Sequence, residues 1–224
     1  VIPHYDVLIA TPGKMLHAEY VQSLVDTIRE LEKRGLTYRF LSKQSSFIPS
    51  GREFVAVDQY ENDWKTREVG SGQYTYGKIF WIDSDIIWES WQFMHILDSD
   101  EDVISGLYAS TPEGIVACSV FHPELEGEFP VTTHESNFFM QSDPVEVFGV
   151  GFGFVAMKQG VFEKCDRPWF KIEHIKWPEI DFMTNVGEDY SWCMNARRNG
   201  FKIMLDPTIR VKHGKETFYE LPPA

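Results

Sequence analysis

The sequence predicts an α/β fold around a mostly parallel central sheet, and three features carry that expectation. The chain opens with an apolar strand, a segment of helical period and a second strand. A further apolar strand, residues 78–82, ends directly on Asp83-Ser84-Asp85. Residues 187–205 then read as another helix followed by a strand. Strands alternating with helices argue for crossover connections, which only a parallel sheet requires. At 224 residues and 43% hydrophobic content, the chain can bury a full core as one domain or two tightly joined halves.

Residues 5–10 form the first predicted strand, and Thr11-Pro12-Gly13 breaks it. Residues 17–34 follow as a helix, with Val21, Leu24, Val25, Ile28 and Leu31 at helical spacing and Gly35 as its stop. Residues 38–41 are the second strand. In open α/β sheets ligands bind beyond the carboxyl ends of the strands. That rule gathers Thr11-Pro12-Gly13, Ser42-Lys43 and Asp83-Ser84-Asp85 on one rim. Residues 50–72 are mixed and helical in part. Arg52, within them, suits a phosphate or a base, and equally one end of a surface ion pair.

The strand before Asp83 is apolar, aromatic and β-branched, as a buried strand should be. In extended chain, residues i and i+2 share a face about 7 Å apart. Asp83 and Asp85 can therefore approach one small cluster, where like charges repel unless a cation lies between them. The chain holds two more such pairs, Asp98/Asp100 and Asp100/Asp102, within a polar run that reads as a solvated loop. Position at a strand end distinguishes Asp83/Asp85. A turn in which Asp85 caps the next segment is the plainer alternative.

Residues 90–97 read as a short amphipathic helix, and residues 103–108 and 114–121 as strands. Residues 121–143 look like a loop. Residues 145–157 read as one strand with Gly149, Gly151 and Gly153 on alternate positions. Gly151 to Ala156 matches G-x-G-x-x-A, but a dinucleotide fingerprint should open a helix after an early strand. Glycines here are expected instead to leave room for a ligand. Residues 161–164 end a short helix, and residues 166–186, with Pro168, Trp169, Trp177 and Pro178, read as a long loop over a site. Glu188 and Asp189 open the next helix, where acids also simply favour the dipole. His213 follows a late strand. A lone histidine there is commonly structural, yet an imidazole would complete an ion's shell around paired carboxylates.

The formal charge of −13 argues against nucleic acid or an anionic membrane as partner. Aromatic residues make up 15%, enough for partly exposed platforms that stack on sugars or bases. No apolar run nears 18 residues, so no transmembrane segment is expected. Cys118, Cys165 and Cys193 are widely spaced and odd in number, which fits reduced thiols and a cytoplasmic location. The sequence begins at Val1 rather than Met, as a trimmed chain or a domain from a longer protein would.

In order and spacing these stretches resemble the GT-A glycosyltransferases, in particular inverting family 2-like enzymes. The likeness runs from Asp6 to Gly214 through Phe80-Trp81-Ile82-Asp83-Ser84-Asp85, residues 149–157, Gly187-Glu188-Asp189 and residues 206–213. The compact size is also similar to transferase domains of large algal viruses, which would mean the host cytoplasm. The resemblance implies a Rossmann-like nucleotide-binding half, about residues 1–108, fused to an acceptor-binding half, about 109–214, with a tail over 215–224. It implies a UDP-sugar or other nucleoside-diphosphate sugar as donor, and a hydroxyl of a glycan or glycoprotein as acceptor. Thr11, Pro12, Gly13, Arg52, Asp83, Ser84, Asp85 and Gly151 would hold the nucleotide sugar. Asp83, Asp85 and His213 would serve Mn²⁺, with Mg²⁺ a substitute. Within that set Asp85 and His213 would bind the ion directly, while Asp83 reaches the ribose or a metal-bound water. Asp189 would be the base, with Glu188 its competitor.

Three other readings share parts of this pattern. A sugar-1-phosphate nucleotidyltransferase usually opens with a Gly-rich basic loop, of which Thr11-Pro12-Gly13-Lys14-Met15 is a poor version. A haloacid-dehalogenase-type phosphatase places its paired aspartates on the opening strand. A non-catalytic glycan- or nucleotide-binding module would use the aromatics alone.

Overall fold

The computed structural model describes residues 2–60, 66–121, 130–176 and 183–214. In chain order the elements are β1 (His4–Pro12), α1 (Ala18–Lys33), β2 (Tyr38–Lys43), α2 (Ile48–Val57), β3 (Thr75–Ile82), β4 (Ile86–Ile87) and α3 (Ser90–Asp98). Then come β5 (Val103–Leu107), β6 (Ile115–Phe121), β7 (Pro130–His134), β8 (Val145–Val147), β9 (Gly149–Val150), β10 (Phe154–Lys158) and α4 (Val161–Lys164). The remainder is β11 (Glu173–Lys176), β12 (Met183–Val186), α5 (Glu188–Arg198), β13 (Ile203–Arg210) and β14 (Lys212–His213).

The α/β architecture rests on a seven-stranded sheet of order β2-β1-β3-β10-β5-β13-β8. The strand pairings make β10 and β8 antiparallel to the other five. Side chains alternate across it, as the pleat requires. Val7 and Ile9, Phe80 and Ile82, and Phe154 and Ala156 face α1 and α3 with Tyr20, Phe93 and Ile96. Leu8 and Ala10, Ile79 and Trp81, and Val155 and Met157 face the other side with Val55, Phe162 and Trp192. Both faces are covered, which is why these strands read as continuous apolar runs rather than alternating ones.

Helix α1 ends where glycine allows it: Gly35 has φ 70°, and the Leu36 N–H returns to the Leu31 carbonyl at 3.0 Å. Its buried face is rotated from the expected one. Tyr20, Ser23, Leu24, Thr27 and Leu31 point inward, while Val21 and Val25 are exposed. The polar members are satisfied by Trp88, whose backbone N–H donates to Ser23 Oγ at 3.1 Å and whose indole donates to Thr27 Oγ1 at 2.8 Å.

Three further expectations are corrected. Residues 145–157 are not one strand: β8 and β10 belong to the central sheet, and β9 pairs with β6 in a three-stranded sheet. The stretch expected as loop after Phe121 contains β7 and a 3-10 turn, Glu135–Phe138. The expected loop of residues 166–186 includes the antiparallel pair β11–β12. Trp177 and Pro178, and the tail 215–224, lie outside the described residues. Cys118, Cys165 and Cys193 are buried free thiols. Among the described residues, no helix is long and apolar enough to cross a membrane.

Candidate active site

Sheet register builds one wall of the site. Thr11 pairs with Ser42 and Pro12 with Lys43, and Ala10 of β1 lies beside Trp81 of β3. Pro12-Gly13 and Asp83 therefore leave the sheet on the same edge. The residue before β10 fixes the exit of Asp83, because the Asp83 N–H donates to the Gly153 carbonyl at 3.2 Å. Two short strands bring in the histidine: β14 pairs with β4, with His213 opposite Ile86. Helix α5 supplies its amino end, opening on Glu188 and Asp189 after Gly187.

These segments enclose a cleft of about 430 Å³. Pro12, Gly13, Arg52, Asp83, Ser84, Asp85, Glu188, Asp189 and His213 line it, with Ser45, Ile48 and Gly51 beside them. The volume lies in the range of ligand pockets. Ser45, Ile48 and Gly51 carry no motif in the sequence, and only the packing of α2 against the rim brings them here.

Charge in the cleft is organised by Arg52. Its side chain is 5% exposed, yet it faces three carboxylates. Nη2 donates to Asp83 at 3.1 and 3.4 Å, and Nε donates to Glu188 at 3.2 Å. The guanidinium lies over the Phe152 ring at 5.3 Å. Burial opposes its charge, but Asp83, Glu188 and Asp189 outweigh that and hold its pKa above the ordinary arginine value. Arg52 is thus a buried member of a charge cluster and not a surface ion pair.

Asp189 behaves differently from Glu188. Burial first, and then the Glu188 charge, push its carboxyl up to about 6. Arg52 and the Tyr190 N–H, which donates to Asp189 Oδ1 at 2.8 Å, oppose that rise. Glu188 spends an oxygen on Arg52, whereas no side chain is bonded to Asp189 among the described contacts.

On the other side of Asp83, the His213 and Asp85 side chains meet at 3.2 Å, Nε2 to Oδ2. His213 Nδ1 lies 2.9 Å from the Ala109 carbonyl. A carbonyl only accepts, so Nδ1 carries the proton in that bond. Nε2 then faces a carboxylate, an arrangement that a proton or a shared cation makes favourable. Among the described residues, no three His, Cys, Asp or Glu side chains are grouped to hold a metal ion, Asp83 being engaged with Arg52.

Two expected site residues fall elsewhere. Thr11 is fully buried, with its hydroxyl bonded to that of Tyr20, so its side chain turns into the core instead of the cleft. Gly151 leaves no room for a ligand, since a Cβ there would stand 2.3 Å from the Tyr108 hydroxyl. The space belongs to Tyr108. Its hydroxyl accepts the Gly153 N–H at 2.9 Å, and its ring meets His213 edge-on at 5.6 Å. No sequence motif marks Tyr108; the alternate glycines, expected to leave room for a ligand, leave it for this side chain.

No family model matches the sequence, and no curated protein sequence does. Among solved structures, the chain is similar to the catalytic domain of Drosophila beta1,4-galactosyltransferase 7 in complex with xylobiose. That match covers 96% of this chain and 72% of the other, at a TM-score of 0.50 and 12% identity. It is also similar to A197 from STIV, over 97% of this chain and 98% of that one, at 0.48 and 17% identity. GalNAc-T7 with UDP, GalNAc and Mn²⁺ is similar over 92% of this chain and 37% of its own, at 0.46 and 13%. At such identities the likeness is one of architecture: the chain has the GT-A fold.

Proposed function

We propose that the protein is a metal-dependent glycosyltransferase that moves a hexose-type sugar from a nucleoside-diphosphate donor, UDP-sugar favoured, to a hydroxyl of a glycan or glycoprotein, with inversion. The observation that carries this reading is the cleft at the strand ends. It joins Asp83-Ser84-Asp85, His213 and the Glu188-Asp189 helix start, from separate parts of the chain, around one ligand-sized space. The galactosyltransferase of like fold, with its xylobiose, adds support for a glycan acceptor. In this reading residues 1–108 bind the nucleotide and residues 109–214 meet the acceptor.

The donor set suits a divalent cation. Asp85 offers a carboxylate and His213 an imidazole Nε2, turned by its Ala109 bond as an outer-shell partner turns a ligand. Oxygen with one imidazole suits Mn²⁺, and Mg²⁺ as substitute. When bound with the donor, the ion would supply a Lewis acid that neutralises charge on the leaving diphosphate.

The rest falls to the protein's own groups. Pro12, Gly13 and Ser84 border the nucleotide, and Asp83 reaches the ribose or a water. Asp189 is the base, because Glu188 is committed to Arg52 while Asp189 keeps a carboxylate whose pKa near 6 lies close to working pH. As the acceptor oxygen bonds to the anomeric carbon, its proton passes to Asp189. The carbon–oxygen bond to the diphosphate breaks, and its electron pair leaves with the diphosphate. A transition state of oxocarbenium character resembles that of glycoside hydrolysis.

The test is transfer or hydrolysis of a panel of nucleotide sugars with Mn²⁺, with the product's anomeric configuration read by NMR. Free nucleoside diphosphate and an inverted product are expected. Pyrophosphate as product would favour the nucleotidyltransferase reading, and retention would remove Asp189 as base.

A further inference from the structure

Arg52 is held too firmly to leave the cleft and is incompletely satisfied within it. Its side chain is 5% exposed, whereas that of Asp83 is 32% exposed and reachable from the cleft. Phe152 supports the guanidinium plane and Glu188 fixes Nε, while the buried Nη1 has no hydrogen-bond partner. A buried donor without an acceptor is a cost that a new arrangement can relieve. One positive group also serves three carboxylates, Asp83, Glu188 and Asp189.

We propose that Arg52 is a positioning residue that holds Asp83 as a stand-in cation and yields it when a divalent ion and a nucleoside diphosphate enter together. The carboxylate changes partner and the arginine stays. Asp83 turns towards a water on the incoming ion, exchanging one neighbouring positive charge for another, so that it is never left uncompensated. Nη2, released, and Nη1, unpartnered until then, gain diphosphate oxygens as acceptors, a geometry for which a guanidinium fork is suited. Nε keeps Glu188 in place, and Asp189 remains the carboxylate facing the reacting atoms.

The consequence is thermodynamic coupling. The ion alone must displace Arg52 without providing it with new acceptors, and so binds weakly. The diphosphate supplies those acceptors, so each ligand strengthens the other through Arg52. This rests on the glycosyl-transfer reading only for the identity of the two ligands.

Calorimetric titration with Mn²⁺ alone, UDP alone and each in the presence of the other tests the proposal in the wild type, Arg52→Gln and Arg52→Gln with Asp83→Asn. Wild type should show strong mutual enhancement. Arg52→Gln should bind Mn²⁺ alone at least about 10-fold tighter, the effect of removing one competing charge at contact. It should also lose most of the enhancement, and the gain should vanish in the double variant, as a contact through Asp83 demands. Unchanged or weaker Mn²⁺ binding in folded Arg52→Gln overturns the exchange and leaves the transferase reading standing. A wild type that binds neither ligand overturns both. Should Arg52→Gln not fold, a wild-type crystal with Mn²⁺ and UDP decides. A parted Asp83–Arg52 contact supports the exchange, and one kept at hydrogen-bond distance overturns it.

Discussion

Helix α2 carries two buried charged residues side by side, Arg52 and Glu53, and they sit in opposite situations. Glu53 is closed off. One oxygen accepts the Phe170 N–H at 2.9 Å and the other pairs with Arg167 at 2.9 Å, with side chains 1% and 5% exposed. Arg167 also donates to the Thr66 carbonyl at 2.6 Å. Among the described contacts one acid there meets one base, and the pair joins α2 to the segment before β11. Arg52 faces a cleft with three carboxylates around it, and negative charge remains after it has paired. A locally neutral buried pair is what architecture uses. An uncompensated surplus in a ligand-sized space is what a site uses, because only a further cation completes it.

Substitutions on the two sides should therefore separate turnover from stability. The largest effect is expected at the cleft: Asp189→Asn should lower kcat by about 10²–10⁴, the usual cost of a lost general base, with donor binding retained. Steady-state kinetics with a UDP-sugar checks this, and near-normal turnover would make the two acids mere helix starters. On the closed side, Glu53→Gln removes the carboxylate from a buried ion pair and should cost about 3–5 kcal/mol in urea unfolding. Mn²⁺ and UDP affinity of the folded fraction should be unaffected.

A third test returns to the cleft. His213→Ala should weaken Mn²⁺-dependent UDP binding by at least the ~10–100-fold typical of losing an outer-shell partner. Equal metal dependence in wild type and variant would dissociate His213 from the ion.

The smallest effect is a pH profile. Because the Asp189 pKa is raised from 3.8 to about 6, the folded state favours the protonated acid. Its contribution to stability is therefore fully present below pH 3.8 and is lost as pH rises through 6. Activity runs the opposite way, since the base must be ionised. kcat/KM should fall about tenfold per pH unit below 6. Asp189→Asn should flatten that limb and raise the Tm at pH 7–8, where the ionised wild-type carboxylate carries its penalty.

The two sides of α2 also differ in how far they could be read in advance. The rim was legible where it follows from strand order: β1, α1, β2 and the strand ending at Asp83 show their periods openly. Arg52 was visible as a residue, but its burial depends on Glu188, 136 positions away, which no local pattern reveals. The same limit applies to the face of α1, where Ser23 and Thr27 are inside because Trp88 satisfies them. Thr11 and Gly151 look ligand-facing in sequence because Tyr20 and Tyr108, their partners in the fold, lie far from any local pattern. Hydrophobic period locates elements; which polar group finds a distant partner is settled only by packing.

The short pairing of β14 with β4 has a consequence for how the molecule comes into being. His213 meets Asp85 across 128 positions, through strands of two residues each. Closing so large a loop costs entropy that two ladder residues return poorly, so this contact should be among the later ones to form. A chain still emerging from the ribosome would present Asp83-Ser84-Asp85 well before the histidine arrives. A ligand gripping both would then act as a clasp between distant parts of the chain. Amide hydrogen exchange should register it as slower opening of β4 and β14 first.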